Sequence, residues 1–143
     1  MKKVKLLILA FLLLLFLLSK FFYYDPNFGC NIFIVPSFLP SNNNTKNILK
    51  MIKKGAPDDY LRICQYVSVI NKNPSCGGLD GGCFQPTKPR TIYIGNDQGN
   101  IAMSGALVIH EVCHAIQASE KRPMTERECY SAGNSYLNIV TKY

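Results

Sequence analysis

His110-Glu111-Val112-Cys113-His114 places two imidazoles four residues apart, with a carboxylate directly after the first. Four residues of α-helix turn through about 400°, so positions i and i+4 lie about 40° apart around the axis and about 6 Å apart along it, on one face. Two imidazole nitrogens in that relation can reach one Zn²⁺. A glutamate beside the first of them can serve as general base towards a water that the metal activates. The chain contains two histidines and both lie in this motif, which weighs against a chance match on an ordinary buried helix. The expected chemistry is hydrolysis, with His110 and His114 as metal ligands and Glu111 as the catalytic base.

A catalytic zinc site has three protein ligands and one open position. With no third histidine, the remaining ligand must be a carboxylate. After the motif the chain predicts a turn over Ser119–Met124 and a second helix opened by Thr125-Glu126-Arg127-Glu128, with Cys129, Ala132, Gly133, Tyr136, Leu137 and Val140 on its apolar face. Short helices joined by a short turn pack together, so Glu126 or Glu128 can face the metal. Glu126 points closer to the centre of the apolar face, and Thr125-x-x-Glu128 also reads as a capping box. Gln117, three residues after His114, lies on the ligand face and can hydrogen-bond there, or form ordinary helix surface. Tyr93, Tyr130 and Tyr136 are candidates for steadying an oxyanion. Tyr136 also suits the core, and Arg127 suits a solvated face.

His110-Glu111-Val112-Cys113-His114-Ala115-Ile116-Gln117 followed by Glu126-Arg127-Glu128-Cys129 resembles the gluzincin metallopeptidases, above all small single-domain members reading roughly H-E-x-x-H-A-x-Q and then E-x-E-A. The resemblance covers Ile101 to Leu137, about a quarter of the chain. It implies a compact zincin-like α+β domain with an active-site helix, a glutamate helix and a small edge sheet. It further implies zinc as cofactor, a peptide or protein as substrate, and Glu128 as the third ligand. Thr91–Ile94 would be the edge strand on which an extended substrate adds. Some gluzincins carry an aspartate four residues after the ligand glutamate; here Ala132 stands there, so another group must orient the histidines.

The elements that position this site begin with Met1–Lys5, which is basic, followed by thirteen unbroken apolar residues, Leu6–Leu18, and the aromatic run Phe21–Tyr24. No small-x-small cleavage site follows, and the stretch to Tyr24 is long enough to span a bilayer. Residues 1–24 are therefore expected to be a transmembrane signal anchor rather than a cleaved signal peptide, with the lysines inside and the domain on the extracytoplasmic (periplasmic or extracellular) side. Residues 25–44, rich in Pro and Asn, read as a stalk, with a short strand over Asn31–Val35. Residues 45–143 read as one domain: a helix capped by Thr45 and running to Lys54, another from Asp58 to about Asn71, a glycine-dense loop from Cys76 to Cys83, the strand Thr91–Ile94, and the two site helices. The glycine loop lacks the lysine-serine or lysine-threonine pair of a phosphate cradle.

All six cysteines follow the apolar segment and no C-x2-C pair occurs, which favours disulfides over a cysteine-bound metal. A Cys113–Cys129 bridge would tie the two site helices together, leaving Cys76 with Cys83 and Cys30 with Cys64, one of fifteen connectivities that six cysteines allow. The net charge of +7 is scattered rather than blocked, so nucleic acid is not an expected partner. Acidic surfaces such as anionic lipid or cell-wall polymer are favoured weakly. Zinc-dependent peptide hydrolysis is the function these residues suggest. The alternatives are a non-catalytic zinc-binding surface domain, which would not need Glu111, and a zinc hydrolase of cell-wall or other non-peptide substrates.

Overall fold

The computed structural model of the chain describes residues 2–37, 44–73, 81–95 and 100–142. Among these residues it is an α+β fold with five α-helices and one five-stranded mixed sheet. The first helix, α1 (Lys2–Phe21), rises about 30 Å at 1.5 Å per residue, the thickness of a bilayer's hydrocarbon core. Among the described residues its apolar side chains from Val4 to Phe16 are exposed, Leu6 and Leu7 by 68% and 70%. The other helix long and apolar enough to cross a membrane, Ile101–Ser119, is largely buried in the fold.

Strand β1 (Phe22–Asp25) follows α1 directly, so the apolar helix stops three residues short of Tyr24. Burial alternates along it: Tyr23 and Asp25 turn inward, while Phe22 and Tyr24 stay exposed. A tight 3-10 turn, Pro26–Phe28, leads into β2 (Cys30–Val35), antiparallel to β1. The short strand expected over Asn31–Val35 is thus present, and Asp25 also lies in a strand, so the start of the expected stalk is built into the sheet; its residues 38–43 lie outside the described residues. Pro and Asn residues at that start make the turn, and the inward Cys30, Ile32 and Ile34 join the core. Buried Asp25 accepts from Tyr60 and pairs with Lys53, which fastens β1 to the helices.

Helix α2 (Thr45–Gly55) is capped by Asn44, whose side chain accepts from Asn47 N–H; Thr45 is buried. Helix α3 (Pro57–Tyr66) is shorter than its apolar spacing suggests. It ends where Val67 turns extended, and β3 (Val69–Asn71) follows. The β-branched Val67, Val69 and Ile70 favour strand over helix. The remaining strands are β4 (Gly82–Phe84) and β5 (Thr91–Ile94), and the sheet order is β1-β2-β3-β5-β4. Strands β2, β3 and β5 are parallel, and the two outer strands run antiparallel to their neighbours. Thr91–Ile94 is therefore an inner strand, and the border expected of it falls to β4. A three-residue strand beginning in glycine leaves too little pattern to read from sequence.

The long helix α4 (Ile101–Ser119) starts at Asn100, whose side chain accepts from Met103 N–H, and packs on β4, β5 and α5 (Glu126–Val140). Small residues let α4 and α5 approach: a Cβ on Gly105 would stand 2.5 Å from the Tyr136 hydroxyl, and one on Gly133 would stand 3.1 Å from Ala106 O. That hydroxyl is buried without a hydrogen-bond partner among the described residues. Leaving a buried polar group unpaired costs about 1–3 kcal/mol. Tyr136→Phe is therefore expected to raise the thermal midpoint by several degrees, and a lower midpoint in a melting scan would refute this reading of the pocket.

Disulfides join Cys30 to Cys64 and Cys113 to Cys129. Cys83 is also disulfide-bonded, and Cys76 lies outside the described residues.

Candidate metal centre

Helix α4 turns His110 and His114 towards the N-terminus of α5, with their Nε2 atoms 3.2 Å apart. Glu126, the first residue of α5, straddles them: one oxygen is 3.2 Å from His110 Nε2 and the other 3.4 Å from His114 Nε2. Tetrahedral zinc with arms of about 2.0–2.1 Å holds its ligand atoms about 3.3–3.4 Å apart. The spacing of the two nitrogens and the carboxylate fits that figure, and the donor set is one that zinc accepts.

Glu128 is not brought to the histidines. Its two oxygens take a forked pair of hydrogen bonds from Arg122, at 2.9 and 3.1 Å, and another from Gln117 Nε2 at 2.9 Å. Arg122, foremost, holds its carboxyl below the ordinary range. Residues 126 and 128 lie about 200° apart around a helix, so only one can face the ligand side of α4. The signal for Glu126 was its place near the centre of the apolar face. The capping box is not formed, because the Thr125 side chain makes no cap bond.

The groups that orient the site come from the turn between the helices. The fully buried Gln117 receives the Thr125 backbone N–H on Oε1 at 3.1 Å and donates through Nε2 to Thr125 Oγ1. A backbone N–H can only donate, so the amide orientation is fixed. The same Oε1 lies 3.2 Å from His114 Nδ1, which must then carry the proton, and the Nε2 lone pair is left facing Glu126 and His110. Gln117 thus supplies an orienting contact where an aspartate was missing. The Cys113–Cys129 disulfide lies beside it, with Cys129 Sγ 3.5 Å from His114 Nδ1. Tyr130 packs on the His110 ring at 4.6 Å between centroids, whereas Tyr93 and Tyr136 are buried elsewhere. Arg127 is exposed. Burial, with His114 beside it, lowers the His110 pKa, while Glu126 pulls it up; the balance favours the neutral imidazole that a metal ligand requires.

Glu111 is buried against β4. A Cβ on Gly82 would stand 2.7 Å from Glu111 Oε1 and 2.9 Å from Tyr93 O, and the second of these atoms is backbone. Gly82→Ala is therefore expected to displace the Glu111 carboxylate, lowering any activity that uses it at least about tenfold with metal affinity unchanged. Equal turnover by the variant would show that the contact relaxes freely.

Burial first, and Glu126 second, push the Glu111 carboxyl up from 4.5 to about 8. Between those values the unfolded chain has released a proton that the folded chain keeps, so stability falls as pH rises. In chelator-treated protein the melting temperature should drop more for the parent than for Glu111→Gln between pH about 5 and about 8. Parallel curves would place the carboxyl in a more polar setting.

No protein-family model, curated protein or solved structure matches this chain.

Proposed function

We propose that the chain is a zinc-dependent peptidase of gluzincin type, held by α1 in a membrane with its domain on the extracytoplasmic side. The observation that carries this reading is the triangle of His110 Nε2, His114 Nε2 and the Glu126 carboxylate, with edges of 3.2–3.4 Å, beside a buried glutamate. The proposed ligands are His110, His114 and Glu126. Zinc bound there would polarise a water and the scissile carbonyl.

Glu111 takes the proton of the attacking water and returns it to the leaving amine, and a proton affinity raised towards neutrality suits both steps. Gln117 holds His114 in the tautomer that presents its Nε2 lone pair. No strand pairs with the outer side of β4 among the described residues, so an extended peptide can add there and pass Glu111. Lys2, Lys3 and Lys5 in the first turns of α1 favour an inside N-terminus and an outside domain.

The test is cleavage of a mixed-peptide library by the full chain, before and after chelation and after zinc is restored. Cleavage that follows zinc supports the proposal. Stoichiometric zinc with no cleavage of any peptide would favour the non-catalytic zinc-binding reading.

A further inference from the structure

Helix α2 carries Lys46, Lys50, Lys53 and Lys54, a spacing that puts four ammonium groups within about 100° of arc. Its buried Ile48, Leu49 and Ile52 face the other way. This stripe begins at the foot of the apolar helix: Lys46 Nζ donates to Ser19 O in the last turn of α1 at 2.7 Å. Lys20 ends the same helix, and it and Lys50 are close enough to lower the Lys46 pKa, after burial as the main cause. Lys53 is paired with Asp25, while Lys50 and Lys54 have no acidic partner among the described residues. Beside them, a shallow depression of about 550 Å³ is lined by Tyr23, Tyr24, Lys50, Lys53, Lys54 and the Asp25 that Lys53 neutralises, with Tyr24 70% exposed. Unpaired lysines and an exposed tyrosine beside the end of an apolar helix are the side chains that suit a headgroup layer.

We propose that the lysine face of α2, with Lys20 and Tyr24, docks on anionic phospholipid headgroups of the bilayer that holds α1. The inference rests on α1 remaining in the membrane. Docking on this face fixes the tilt of the domain. Strand β1 lies at the membrane side and β4 at the opposite edge of the sheet, four strand spacings or about 19 Å away. Glu111 and the histidines are then held clear of the lipid, where a soluble or wall-bound chain can reach them.

The test uses the full chain in nanodiscs of phosphatidylcholine alone or with about a third phosphatidylglycerol. Acylation rates of individual lysines are read by mass spectrometry. Lys46, Lys50 and Lys54 should react at least about fivefold more slowly in the anionic discs, with protection lost at high salt, while Lys88 and Lys121 react alike in both. Equal rates at α2 would overturn the proposal. Protection by inorganic phosphate in neutral discs would also overturn it, by assigning the face to a soluble anion. Alkaline carbonate extraction of the same preparation reports separately on α1: a chain that is released has lost its anchor, whereas one that is retained but unprotected has failed at the lysine face alone.

Discussion

Glu111→Gln is expected to lower peptide hydrolysis by about two to four orders of magnitude, the range set by losing a general base, while zinc content stays at the parent level. The amide keeps the shape of the carboxylate, so the close fit against Gly82 persists. It cannot take a proton, so the attacking water loses its base and the leaving amine its acid. Because the carboxyl is buried and raised to about 8, the neutral amide also suits its pocket, and the variant should fold at least as well as the parent near neutral pH. Single-turnover cleavage together with elemental analysis checks both halves. Retained turnover would remove Glu111 from the chemistry even if metal binds.

Glu126→Gln is expected to weaken zinc binding more than about a hundredfold, since removing a direct ligand should cost more than the 10–100-fold typical of an outer partner. Glu128→Gln should change it little by comparison. That substitution disturbs a solvent-screened pair with Arg122 and one hydrogen bond from Gln117, and removes no atom from the metal triangle. The Cys113–Cys129 bridge and Gln117 keep α5 registered against α4 in either variant. Competition against a chelating dye gives the affinities. Zinc lost from Glu128→Gln and kept by Glu126→Gln would reverse the assignment.

The motif helix was legible because its signals are local: the apolar spacing over Ile101–Ala118, both histidines four residues apart, and Pro123 in the following turn. The Cys113–Cys129 disulfide matches the pairing suggested by the packing of the two site helices, and Cys30–Cys64 matches the pair left over from it and the expected Cys76–Cys83 loop. Where sequence reading went astray, a tertiary partner decided the outcome. Glu126 and Glu128 are separated by what Arg122 and Gln117 do in space, which no spacing rule encodes. Residues 25–44 read as a stalk with one short strand, Asn31–Val35; that strand is present as β2, but its pairing with β1 and β3 depends on distant residues, and β3 itself hides at the end of a helical pattern. The edge strand is three residues long and starts in glycine, so its pairing with β5, not its composition, makes it a strand.

The central claim is the ligand set, and X-ray absorption at the zinc edge of the full chain, loaded with zinc and dialysed, tests it most directly. The account predicts a four-coordinate site of nitrogen and oxygen at about 2.0–2.1 Å with two imidazoles. A sulfur neighbour at about 2.3 Å, or no zinc retained after dialysis, would contradict it.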